Sequence, residues 1–304
     1  MKHAVSVSLG APARDADVEV SLLGETVRLQ RIGTDGDVER AARLFRDLDG
    51  KVDAFGVGGA LLGVTVDGRS YPLRAVRPMV RFVRRTPLVD GSGLSAVLES
   101  RLAAVIVARL GAELPGRRVL VTAGAERWDM ARSFARAGFD CCFGDLMFAL
   151  KVPVALRSEA ALRRAASVLM PLVRRMPIER IFPVGRGARN PQPRFARWYR
   201  WAAVIAGNCH YITRHMPARL DGKIVCTNTT TPDDVERFRG AGVRHLVTSS
   251  PVIAGRTFGS NALEAVLVAL RGDGHPLARS ELAALADATG LEPTIRRLDA
   301  GPPT

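Results

Sequence analysis

The period of hydrophobic and polar positions changes several times along the chain, and each change marks an element. Val5 to Leu9 reads as a strand. Val18 to Leu23 and Thr26 to Gln30 read as a hairpin turned at Gly24-Glu25. A helical stripe of Val38, Ala41, Ala42, Phe45 and Leu48 follows, with Thr34 as its cap, Asp37 completing a variant capping box and Gly50 as its stop. Val52 to Phe55 is a short buried strand that ends at Gly56-Val57-Gly58-Gly59. Asp67-Gly68 turns a second hairpin between Leu61–Val66 and Arg69–Leu73. A helix over Val76–Arg84 and a strand at Pro87–Val89 lead to one long amphipathic helix carrying Leu94, Val97, Leu98, Leu102, Val105, Ile106 and Leu110.

Beyond Leu114-Pro115-Gly116 the pattern becomes alternating strand and helix. Strands are expected at Arg118–Thr122, Phe139–Phe143, Arg180–Val184, Ala203–Ala206, Lys223–Thr227 and Arg244–Thr248. Helices are expected at Glu126–Ala137, at Glu159–Arg175 with a break near Pro171, at Arg194–Trp201, after Thr231-Pro232-Asp233-Asp234, and from a second capping box of Asn261 with Glu264 to Gly272. The stretch Gly185–Pro193 reads as loop, and a last helix at Ser280–Ala288 precedes a Gly-Pro-Pro-Thr end. Such alternation predicts an α/β fold. It has a strand-rich N-terminal α/β domain over residues 1–113 and a Rossmann-like, mostly parallel sheet with helices on both faces over 114–272. A C-terminal helix and tail occupy 273–304.

Composition narrows the class. The chain has 304 residues, 47% of them hydrophobic, which is ample for a packed core. No apolar run is long enough to span a bilayer, and Met1-Lys2-His3 runs straight into a strand without a signal core, so the expectation is a cytoplasmic, soluble protein. Cys141, Cys142, Cys209 and Cys226 lack metal or redox spacing and read as buried thiols; no metal site is expected. A net charge of +14 favours anionic partners. The arginines are scattered along helices rather than gathered in a patch, so nucleic acid is not the expected partner. The segment Arg194–Trp201 mixes arginine with aromatics; it reads first as an amphipathic helix burying Trp198 and Trp201, and second as a single-strand RNA platform.

In an open α/β sheet, ligands bind outside the carboxyl ends of the strands. Several of the loops expected there are polar. Asn228-Thr229-Thr230 lies between a strand and a well-capped helix, where free N–H groups favour an anion. Arg256, Ser260 and Asn261 lie in a long polar loop, Ser249 to Ser260, and at the start of the next helix; Arg256 suits a carboxylate. Gly124, followed by Asp145 twenty-one residues on, is the nearest approach to a dinucleotide site, although the full Gly-x-Gly-x-x-Gly is absent. Asp90 and His210 are the acid–base candidates; His210, with His215 five residues on, reads as a loop histidine. Asp35 and Asp90 are expected to face the C-terminal loops across a cleft.

The blocks Val5-Ser6-Val7-Ser8-Leu9-Gly10, Gly33-Thr34-Asp35-Gly36-Asp37, Leu48–Ala54, Thr86–Leu94 and Gly144-Asp145-Leu146-Met147-Phe148 resemble a bacterial family often labelled quinate 5-dehydrogenase. Thr227-Asn228-Thr229 and Thr257–Asn261 add to the likeness, which spans about residues 3–272. The resemblance implies NAD- or NADP-linked oxidation of a cyclic hydroxy-carboxylate. The paired Lys and Asp of the quinate and shikimate dehydrogenases is not matched: the N-terminal region offers Lys2 and Lys51, with Asp53, in other surroundings. The readings carried forward are an enzyme acting on a small anionic, carboxylated metabolite, a non-redox enzyme or anion-binding regulator of the same architecture, and an RNA-binding protein. Self-association as a homo-oligomer stays open.

Overall fold

A computed structural model describes residues 1–181, 191–250, 252–253 and 256–299. The first half runs β1 (Lys2–Ser8), β2 (Ala16–Leu22), β3 (Glu25–Gly33), α1 (Val38–Leu48), β4 (Ala54–Gly58), β5 (Gly63–Val66), β6 (Arg69–Pro72), α2 (Arg77–Val80), β7 (Leu88–Val89), α3 (Ser92–Ser100) and α4 (Leu102–Leu110). The second half opens with β8 (Arg118–Val121), α5 (Trp128–Arg136), β9 (Asp140–Phe143), α6 (Asp145–Leu150), α7 (Glu159–Val173), α8 (Ile178–Ile181) and α9 (Ala196–Trp201). It continues through β10 (Val204–Ala206), α10 (Cys209–His215), β11 (Ile224–Thr227), α11 (Pro232–Gly240), β12 (His245–Thr248), β13 (Val252–Ile253) and β14 (Arg256–Thr257). It closes with α12 (Ser260–Arg271), α13 (Arg279–Ala288) and β15 (Thr294–Arg297). The fold is mixed α/β, with two mostly parallel sheets flanked by helices.

The first sheet has the order β2-β3-β1-β4-β7. Its centre, β1, pairs in parallel with both β3 and β4. Ala4 to Ser8 are all buried, as a strand covered on both faces requires. Val5 and Val7 face the cluster that holds Phe45 of α1, whereas Ala4 faces the cluster built around α12. Ala262 to Leu270 of α12 are buried without interruption, since this helix is wrapped by β1, β4 and α3.

The second sheet has the order β15-β12-β11-β10-β8-β9, parallel except for β15. β8 is first in sequence yet lies between β9 and β10, so the order of strands reverses at the β8–β10 boundary. One apolar cluster runs from β1 and α1 through α4 to β8, α5 and α7, joining the two halves into a continuous core.

Several local expectations are corrected. The first hairpin turns at Leu23-Gly24, both with positive φ, one residue earlier than expected. Asp37, not Thr34, caps α1 by accepting from Arg40 N–H. β4 runs through Gly56-Val57-Gly58, because close packing there needs residues without side chains: a Cβ on Gly56 would stand 2.5 Å from Asn261 O. The long helix after β7 breaks at Arg101 into α3 and α4. Asn261 does not cap α12; Gly259 is the cap residue, and Glu264 turns instead to the start of α3. Residues 178–181 form a helix, not the beginning of a strand, and the rest of the strand expected at 180–184 lies outside the described residues, as does most of the loop expected at 185–193. The end at 301–304 lies outside them as well. In α9 it is Tyr199 that is fully buried; Trp198 and Trp201 are half-buried and pack edge to face.

Candidate functional site

The β8–β10 boundary opens onto a cavity of about 510 Å³. Thr122, Ala123, Ala125 and Glu126 reach it from the loop after β8, and Asp145 from the end of β9. His210, Tyr211, Arg214 and His215 enter from α10. The steps from 210 to 214 and from 211 to 215 are one helical turn each, which puts all four on one face of α10. α7 and the two-stranded β5–β6 hairpin close the other side. A crevice at the carboxyl edge, where strand order reverses, is where doubly wound sheets bind ligands.

The expected cofactor residues are bonded to each other. Asp145 accepts Gly124 N–H at 2.9 Å and Ala125 N–H at 2.8 Å, one on each carboxylate oxygen. Burial pushes its carboxyl up to about 6, against the pull of those amides. A dinucleotide on a βαβ unit rests its diphosphate on free N–H groups of this loop. Here those amides are occupied and the Glu126 carboxylate stands beside them, so the loop as arranged does not fit a diphosphate.

His210 lies in the first turn of α10, a helix rather than the expected loop, and is exposed at the cavity. Its neighbour His215 is held more firmly. It is 6% exposed, stacks on Phe148 at 5.3 Å, and pairs Nδ1 with Gln192 O at 2.9 Å. A carbonyl only accepts, so Nδ1 carries the proton and, in the neutral ring, Nε2 is left as an acceptor. Burial lowers the His215 pKa, which favours that neutral ring. Tyr211 is pushed up to about 12 by burial, with further contributions from Glu126 and Asp145, and stays protonated near neutral pH.

Two arginines line the same cavity without ion-pair partners among the described residues, Arg194 and Arg214. Arg214 Nε is buried and has no hydrogen-bond partner among the described residues. The Nε of Arg127 is likewise buried without a hydrogen bond, but that guanidinium is paired through Nη1 with Glu99 at 2.8 Å, the arrangement that burial of charge normally demands. Sequence reasoning gave Arg214, Tyr211 and Arg194 no place in the pocket. Helical spacing from His210 to Arg214 and from Tyr211 to His215 was the signal for the first two, hidden because 208–215 was not recognised as a helix.

The other expected residues assemble elsewhere. Asp90 accepts Leu62 N–H at 2.6 Å and Ser92 N–H at 2.9 Å, fixing the turn before α3. Ser260 and Asn261 pack against Gly91 of that same turn; Ser95 Oγ donates to Ser260 Oγ at 2.8 Å, and Asn261 Nδ2 donates to Ser6 Oγ of β1 at 2.6 Å. Asn228 accepts from Cys209 N–H at 3.4 Å, beside the start of α10, while Thr229 and Thr230 are half-buried; none of the three lines the cavity. The Arg256 side chain lies outside the described residues. Thr231 caps α11 in a full capping box with Asp234. All four cysteines are buried and free, with Cys141 pushed up to about 12 and Cys142 to about 11 by burial. Among the described residues no cluster of His, Cys, Asp or Glu could hold a metal, and no helix is long and apolar enough to cross a membrane. Guanidinium groups of Arg157, Arg197 and Arg118 lie over the Trp198 and Trp201 rings, so the aromatic faces have partners within the chain.

Residues 93–298 match the model for a domain of unknown function, DUF8754, over more than half of the chain. The chain belongs to the DUF8754 family. Residues 3–90 match a second domain of unknown function, DUF8753, so the two matches meet at the turn fixed by Asp90. No curated protein matches the chain. Among solved structures it is similar to the NAD-dependent malic enzyme of Thermotoga maritima (TM-score 0.41, 12% identity, 98% of this chain and 79% of that one). It is also similar to a galactofuranose binding protein (TM-score 0.37, 9% identity, 98% and 95%) and to L-tryptophan dehydrogenase from Nostoc punctiforme (TM-score 0.30, 12% identity, 95% and 80%).

Proposed function

We propose that the cavity at the β8–β10 boundary binds a small carboxylated metabolite and that the protein is an enzyme acting on it. The observation that carries this reading is Arg214: a guanidinium with a buried, unpartnered Nε, lining a cavity where a doubly wound sheet binds its ligand. An anion there would give this half-buried guanidinium the ion-pair partner it lacks among the described residues. Arg194 adds a second positive group. His215 Nε2 is the general base of this proposal, oriented by its bond to Gln192 O, and the Tyr211 hydroxyl is the acid. Asp145 is assigned a supporting role, shaping the loop after β8.

A second reading is oxidation of a quinate- or shikimate-type acid with NAD or NADP. It is favoured by the βαβ unit β8-α5-β9 with an acid following its second strand, the position of a ribose-binding carboxylate. It requires Asp145 to release the Gly124 and Ala125 amides.

The test is a thermal-shift screen of wild type and Arg214→Gln with benzoate, quinate, shikimate, inorganic phosphate, NAD and NADP. A carboxylate is expected to raise the melting temperature of the wild type and not of the variant. Equal shifts in both proteins would remove Arg214, and with it this site, from the proposal. A shift with NAD or NADP alone would promote the second reading.

A further inference from the structure

The cavity divides its lining by element. Its charged and hydrogen-bonding groups come mainly from α10, the residues around Gln192–Arg194 and the strand-end loops. The opposite wall is apolar: Leu162, Leu169, Met170 and Val173 of α7 face Val64 and Leu73 of the β5–β6 hairpin. The spacing of the α7 residues gives one stripe along the helix. A ligand rich in hydroxyl groups would lose water against that wall without gaining partners. An apolar body would gain from every methylene it buries there. The volume suits a ligand of intermediate size.

Resting on the cavity as the ligand site, we propose that its ligand is amphipathic: a carboxylate held at Arg214 and Arg194, carried on an aliphatic or aromatic body that lies along α7. Polyhydroxylated acids and sugars are the class this wall rejects. The division of labour is explicit. The arginines fix the head group, α7 and the hairpin select the body, and His215 with Tyr211 meets the carbon next to the carboxylate.

Calorimetric titration with octanoate and with quinate tests it, using wild type, Leu169→Gln and Arg214→Gln, each checked for an intact fold by circular dichroism. Leu169 is half-buried at the cavity rim, so a polar replacement is tolerated by the core. Octanoate is expected to bind wild type at least about tenfold more tightly than quinate, a difference of about 1.4 kcal/mol. Leu169→Gln is expected to weaken octanoate several-fold, and Arg214→Gln to abolish its binding. Quinate binding that exceeds octanoate and is lost in Arg214→Gln would overturn the amphipathic ligand while leaving the site in place. Octanoate binding indifferent to Leu169→Gln would overturn it too. No octanoate binding, together with no effect of Arg214→Gln on any carboxylate, would remove both the ligand class and the site.

Discussion

The Asp145 carboxylate accepts the N–H of Gly124 at 2.9 Å, tying the end of β9 to the loop after β8; its second oxygen takes the next amide, Ala125, at 2.8 Å. The bond decides the shape of the cavity floor and explains why a carboxylate stays in a buried place. Asp145→Ala leaves both amides without that acceptor. The expected loss is about 2 kcal/mol in urea unfolding, within the usual range for stranded donors. A loss below the error of the measurement would mean that the loop holds itself.

Glu264 ties α12 to the start of α3 by accepting Leu94 N–H at 2.8 Å, beside Asp90. Burial pushes its carboxyl up to about 7, with Asp90 adding to the rise and the Leu94 and Gly93 amides opposing it. The folded state therefore keeps this proton over a pH range in which the unfolded chain has lost it. Its contribution makes stability fall as pH rises from about 4.5 to about 7, by an amount on the order of 3 kcal/mol. Glu264→Gln keeps an acceptor for Leu94 and removes the titration. Its unfolding free energy is expected to vary less with pH over that window than the wild type's. Parallel pH profiles for the two proteins would refute the assignment.

Gly91 joins the two matched regions at a point where chain passes chain. Its φ is +82°, and a Cβ there would stand 2.1 Å from Asn261 N. Gly91→Ala therefore combines strain with a backbone clash that no rotamer relieves. The expected result is loss of more than about 3 kcal/mol, or failure to fold, seen by circular dichroism. A stable, cooperatively folded variant would show that α12 is not seated on this turn.

Much of the architecture was legible because it rests on local rules. β1, α1, the Asp67-Gly68 hairpin, the β8-α5-β9 unit and the Thr231 capping box all follow from periodicity and turn chemistry. The failures have tertiary causes. Gly56 to Gly58 look like a loop in sequence, yet they continue a strand because Asn261 and Ser8 press against them. Asn261 has the sequence of a cap, but its side chain is drawn to Ser6, 255 residues away. β15 pairs antiparallel on the sheet edge with β12, a pairing that no local pattern announces. For the site, Asp145 and His210 were found at strand ends and do line the cavity. Ser260 and Asn261 do not, since α12 returns to the first sheet. Arg214 was missed because α10 is two turns long and polar at most positions, too short to declare a helical period.

The His215 ring offers a check independent of any ligand. Its bond to Gln192 O requires the Nδ1-protonated tautomer, and its lowered pKa keeps the ring neutral at pH 7. A nitrogen-15 NMR spectrum at pH 7 is expected to show Nδ1 protonated and Nε2 bare, with His215→Gln used for assignment. An Nε2-protonated ring would disqualify His215 as the base.

The most direct test of the cavity is a crystal structure of the protein soaked with the carboxylate that raises its melting temperature most. The expected density places the carboxylate against Arg214, with its body toward α7 and His215 beside the adjacent carbon. A carboxylate found instead at Asn228–Thr231, or at the turn of Asp90 and Asn261, with the Arg214 cavity empty, would contradict it.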